Sequence, residues 1–153
     1  MRPWLLTLAF VLAVAAAWRM DARRDLALHK PVRASGVRLG DPEGVVNGLV
    51  EWGTYAFHSE RGTPAWLTID LEAPHRIGEV RVFGRGDGYL TTAPVMVVDL
   101  SDDGVHFGQP RPCGAILTQA SPCAVAFGGV AARYVRVRAT VLVLSEVEVH
   151  EAR

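Results

Sequence analysis

Trp66-Leu67-Thr68-Ile69-Asp70-Leu71 (WLTIDL) and, after a short gap, Ile77 to Phe83 (IGEVRVF) form the stretch on which the fold turns. In the first run apolar and polar side chains alternate. In the second, Val80 and Val82 share one face while Glu79 and Arg81 share the other. A period of two over such runs marks strands with one face buried and the other wet. Working outward, Tyr134 to Ala139 (YVRVRA) puts Val135 and Val137 inward, with Arg136 and Arg138 outward. Leu142 to His150 (LVLSEVEVH) puts Val147 and Val149 inward and Glu146, Glu148 and His150 on the other face. Arginines on one strand and glutamates on the next are expected to pair across the ladder. Pro94 to Leu100 is an apolar run that leads into Ser101-Asp102-Asp103-Gly104. Asp-Gly between two β-prone runs predicts a hairpin, with glycine supplying the positive φ and Val105-His106-Phe107 returning. From Asp25 on, no ten-residue window carries a helical period. Strands at this spacing, antiparallel by their short connections, predict an all-β sandwich.

The chain has 153 residues, one domain's worth once about 20 at the N-terminus are set aside. Sixteen basic and sixteen acidic side chains cancel, and no lysine or arginine block stands out, which argues against a nucleic-acid footprint. Cys113 and Cys123 flank a segment with Pro112, Gly114 and Pro122. In an exported protein they read as a local disulfide; two buried, unpaired thiols are the alternative. Trp4 to Trp18 is uncharged and apolar, preceded by Arg2 and followed by Arg19, Arg23 and Arg24. It has the length of a signal-peptide core, and Ala15-Ala16-Ala17 offers small residues for cleavage. The bracketing tryptophans instead suit an uncleaved interfacial anchor. Residues 1–20 are therefore expected to be a signal peptide or a signal anchor, helical and membrane-directed, ahead of a domain at 25–153. Both readings export the domain, which is then membrane-anchored on the extracytoplasmic side or secreted.

Four stretches resemble the discoidin family, the coagulation factor five/eight type C domains, whose relatives include fucose-binding lectins. They are Asp25 to Val32 with Ala34-Ser35, Trp66 to Leu71, Leu100 to Gly104, and the closing runs Ala132 to Val137 and Leu144 to Val149. They stand in the family's order. The resemblance implies an eight-stranded, antiparallel jelly-roll sandwich of the galactose-binding-like type, whose loops at one end bind a ligand. Many members staple their chain ends together, whereas the cysteines here can close only a local loop.

The resemblance also implies site residues. The fucose-binding branch uses a histidine on one loop and, on another, an arginine followed two residues later by aspartate; His58 and Arg85-Gly86-Asp87 stand at similar spacing. Imidazole and guanidinium donors would fix sugar hydroxyls, with the aspartate orienting the arginine. The branch's second basic residue falls at Thr92, which is neutral. Many members hold a structural calcium ion between loop carbonyls, an aspartate before glycine and a glutamate of the last strand. Asn47-Gly48 and Glu146 occupy those places. Asparagine keeps an oxygen but loses a charge, which weakens a site for a hard cation. Trp52, Tyr55, Phe57 and Tyr89 lie in loop-like segments close by, suited to stacking on sugar, to lipid, to a protein partner or to closing the core. Scattered histidines and the absence of H-E-x-x-H, G-x-S-x-G or a phosphate loop argue against catalysis. Asp102-Asp103 reads as a pair of solvated turn residues. The expected function is therefore a non-catalytic carbohydrate-binding domain. The competing reading is a membrane-anchored accessory subunit of a larger membrane protein complex, and a weaker one is a peripheral phospholipid binder.

Overall fold

The structure, a computed structural model, describes residues 24–50, 55–62, 64–86, 96–113 and 121–153. The helical segment expected at 1–20, together with Trp52, Asp87, Tyr89 and Thr92, lies outside them.

The alternating runs fold as strands. In chain order these are β1 Val32–Ala34, β2 Val37–Gly40, β3 Phe57–Ser59, β4 Ala65–Gly84, β5 Met96–Ser101, β6 Arg111–Cys113, β7 Cys123–Ala139 and β8 Val143–Glu151. Every strand pair is antiparallel. WLTIDL and IGEVRVF belong to a single strand, β4, 20 residues long. Its first half pairs with β1 and with the last third of β7, and β7 passes on to β5 and then β6. Its second half pairs with the start of β7 and with β8, beyond which come β3 and β2. Two layers result, β1-β4-β7-β5-β6 and β2-β3-β8-β4-β7, which share their two longest strands. The crossing lies where the β4–β7 register shifts between Asp70 and His75. There Glu72 adopts φ 66 and Pro74 falls among the unpaired residues, so its missing N–H costs the ladder nothing.

Leu67, Ile69, Val98, Val135 and Val137 from one layer and Val80, Val82, Val147 and Val149 from the other are all fully buried in one apolar cluster. Each such side chain contributes about 1.5–3 kcal/mol of hydrophobic stabilisation. Cys113 and Cys123 are disulfide-bonded with Cα atoms 5.7 Å apart. Cys113 pairs with Met96 in the first layer and Cys123 with Val82 in the second, so the bond ties the edges of the two layers together.

Two expectations are corrected. Arg136 and Arg138 do not meet the glutamates of β8, because β4 lies between β7 and β8. Both instead hold Asp99 of β5, which is 1% exposed: Arg136 through Nε and Nη2 at 3.0 Å each, Arg138 through Nη2 at 2.8 Å. Glu148 takes His150 at 3.0 Å and Arg81 at 3.9 Å. Residues 105–107 do not return as a strand; the edge of β5 away from β7 is paired by β6 instead, and Gly108 N–H donates to the Leu100 carbonyl. The turn closes on side chains instead. Asp103 accepts from the N–H groups of Val105 and His106 and contacts the His106 ring at 2.7 Å, so Asp102 and Asp103 are exposed turn residues as read, and Asp103 also caps the turn. These contacts hold its carboxyl well below the usual range.

Candidate functional site

β8 organises the end of the second layer. Leu144 is the register partner of Phe57 on one side and of Gly84 on the other. His58 and Arg85, each the next residue along, therefore stand level across β8, about 10 Å apart at two strand spacings. Phe57 itself is fully buried in the core, so it belongs to the sandwich and not to a loop. Tyr55 bridges the two. Its ring meets His58 edge-on at a centroid distance of 5.7 Å, and the Arg85 guanidinium lies 5.2 Å from its centroid. A cation over a tyrosine face is attracted by the ring quadrupole.

His58 is 6% exposed and not a free surface ring. Its Nδ1 lies 2.7 Å from the Ser59 carbonyl oxygen. A carbonyl only accepts, so Nδ1 carries the proton and donates, which leaves Nε2 of the neutral ring as an acceptor. Ser59 is fixed in turn, since its Oγ accepts from Leu142 N–H at 3.0 Å. Two of the three sugar-contact residues expected from sequence thus converge, with Asp87 outside the described residues. Tyr55, which links them, had no assigned role in the sequence; its position three residues before His58 was the available signal.

Glu146 lies further along the same strand. Asp41 caps the 3₁₀ turn Pro42–Val46 by accepting from Glu43 N–H at 3.0 Å, and the turn ends at Asn47. Gly48 follows with φ +80, a conformation a side chain would strain. That turn aims the Gly48 N–H at Glu146 Oε1, 3.2 Å away. Glu146 is 1% exposed, and its Oε2 is buried without a hydrogen-bond partner. The strand alternation placed Glu146 on a wet face; the 3₁₀ turn covers it. Burial, with the charges of Asp25 and Glu148 adding, pushes its carboxyl up to about 8 against the pull of the Gly48 N–H.

An unpaired buried carboxylate oxygen is what a hard cation would satisfy. Glu146 fits that role. Asn47 fits less directly, because its Oδ1 already accepts from Leu49 N–H at 2.7 Å. No three His, Cys, Asp or Glu side chains converge as a metal-binding group among the described residues, so main-chain carbonyls would have to complete any cage.

Ser101, Asp103 and His106 form a contiguous set, yet the aspartate sits in the middle, accepting from Ser101 Oγ at 3.0 Å and contacting the histidine. The serine's contact is with the aspartate, not with a base that could take its proton, so no nucleophile is activated there.

No curated protein sequence matches the chain. Among solved structures, a Streptococcus pneumoniae fucose binding module is 25% identical with a TM-score of 0.74, covering 86% of this chain and 97% of that one. The lectin domain of Lectinolysin, solved with Lewis B antigen, is 24% identical with a TM-score of 0.73, covering 85% and 98%. A Clostridium perfringens module in complex with GalNAc-beta-1,3-galactose shares 16% identity at a TM-score of 0.66, covering 83% and 99%. The two-layer topology therefore recurs over the whole length of these modules. The F5/F8 type C family described as NedA-like, galactose-binding domain matches residues 44–137, which span the end of the 3₁₀ turn, β3 to β6 and most of β7, and the chain belongs to that family.

Proposed function

We propose that the chain is a non-catalytic carbohydrate-recognition domain whose contacts come from the end of the sandwich where Tyr55, His58 and Arg85 converge. The observation that carries this reading is the register across β8, which sets His58 and Arg85 level with Tyr55 between them. An acceptor nitrogen, a guanidinium edge and an aromatic ring can together read the hydroxyls and the apolar face of one sugar. The fucose binding module and the Lewis B-bound lectin domain support a glycan as ligand. By the family resemblance, Asp87 would complete the set as the group that orients Arg85.

We further propose that Glu146 anchors a structural calcium ion, with the carbonyls of the 45–49 turn and Asn47 as the other oxygens. When bound, the ion would supply charge to the orphaned Oε2 and stiffen the loop beside the sugar contacts. The disulfide supports an oxidising, extracytoplasmic location, to which residues 1–20 would direct the chain.

A glycan array probed with the full chain in calcium tests the main reading. Fucosyl- or galactosyl-terminated glycans should bind, and Arg85→Ala should lose about 10–100-fold in affinity, the effect of deleting one charge-assisted hydrogen bond. Arg85→Ala binding as well as the parent, at an unchanged melting temperature, would sink the assignment.

A further inference from the structure

The first layer carries an aromatic that the loop-end site does not use. Trp66 alternates with the buried Leu67 and faces away from the core, 36% exposed. Across the ladder, Arg138 of β7 stands opposite it and Val97 of β5 beyond that. In the next row outward come Thr68, Arg136 and Asp99. Two shallow depressions meet at the indole. One, of about 340 Å³, is lined by Arg33, Thr68, Asp70 and Tyr134 among others; the other, of about 480 Å³, is lined by Pro64, Ala65, Val97 and Arg138 among others. Together they make an open trough along β4 from Ala65 to Asp70, roughly 17 Å at strand rise.

The trough has a net positive character. Asp99 is shared by two guanidiniums, which leaves one positive charge over. Asp99 engages Arg138 through Nε and Nη2, so Arg138 is pre-oriented with Nη1 left for a ligand. Asp70 is neutralised by Arg133, whose Nε and Nη2 reach it at 2.7 and 2.9 Å. Asp103, on the far rim, is taken up by its own turn and by His106. Arg33 adds a further exposed cation. Of the other exposed large apolar side chains described, Val105 alone borders the trough. A protein interface would gather several such anchors.

We propose that this trough is a second ligand platform, independent of the loop-end site, which takes an extended acidic polysaccharide. The indole stacks on the C–H face of one sugar ring, while Arg138 and Arg33, on either side of it, take carboxylates of the flanking uronate units. An open trough with one central aromatic and flanking donors accommodates a chain that enters and leaves at both ends, unlike the compact His58–Arg85 pair.

Calorimetric titration of the full chain with polygalacturonate, and with neutral dextran as control, tests this at low and high salt. Polygalacturonate should bind and dextran should not, with affinity falling as salt rises. Trp66→Ala should weaken binding at least about tenfold, the loss expected for a central aromatic anchor, and Trp66→Phe should recover part of it. Arg33→Gln, at an exposed position outside the core, should weaken binding and flatten the salt dependence. Arg85→Ala should change none of these, which separates this platform from the loop-end site. Polygalacturonate failing to bind, equal binding by Trp66→Ala, or an equal loss in Arg85→Ala would each overturn the proposal.

Discussion

Glu146 carries the sharpest consequence at the scale of a single residue. Its carboxyl is raised from 4.5 to about 8, mainly by burial. A raised acid favours the neutral form, so its contribution is greatest at low pH. Without metal, stability should fall as pH climbs from about 4.5 towards 8 and level off above, by several kcal/mol at most. A bound calcium ion reverses this slope, because it needs the carboxylate and expels the proton. Thermal melts between pH 5 and 8.5 read both effects. Chelated protein should lose melting temperature with rising pH, calcium should restore it at pH 8, and Glu146→Gln should abolish both responses. A melting temperature indifferent to calcium in the parent chain at pH 8 would remove the ion from the account. The family resemblance brought Glu146 and Asn47 to notice, but the strand period alone put Glu146 in water with Glu148. Its burial depends on a turn a hundred residues away in sequence, which no local pattern encodes.

At the scale of the elements, the sequence spoke clearly wherever one face was buried. WLTIDL, IGEVRVF and YVRVRA each alternate as read, because the two-residue period is imposed locally by the core. What stayed hidden is that the first two are one strand bending through Glu72 and Pro74 to serve both layers, since partner order is a long-range property. The charges show the same limit. Arg136 and Arg138 were rightly turned outward, yet their partner is Asp99 on β5, a residue inside what read as an apolar run. Asp99→Ala would leave two half-exposed guanidiniums without their shared anion and should cost about 1–3 kcal/mol, read as a lower denaturant midpoint at unchanged slope. A loss under half a kilocalorie would mean that solvent serves the arginines as well as Asp99 does. The disulfide can be judged separately. Replacing Cys113 and Cys123 together by alanine should cost about 2–3 kcal/mol by releasing a ten-residue closure. Amide exchange should then quicken first in β6 and the start of β7, the two edges it joins. Uniform quickening across both layers would show that the bond stabilises the fold as a whole instead of clamping its edges.

For the whole molecule, the arrangement of layers decides which sites can speak to one another. The sugar contacts and the cation position are strung along β8: Leu144 sets the level of His58 and Arg85, and Glu146 lies two residues further on, about 7 Å along the strand. Ordering of the 45–49 turn around Glu146 would therefore stiffen the strand that spaces His58 from Arg85. Calcium and glycan should then bind cooperatively, and linkage requires that each raise the other's affinity by the same factor. The Trp66 trough sits on the opposite layer, with the buried apolar cluster between, so it should be insensitive to both. Titrating glycan with and without calcium, and calcium with and without glycan, gives two independent estimates of one coupling factor. Equal factors above one, with polygalacturonate affinity unchanged by chelator, fit a molecule whose second layer is a single coupled unit. If chelator leaves glycan affinity untouched while calcium still raises the melting temperature, the ion only supports the fold, and recognition rests on Tyr55, His58 and Arg85 without it.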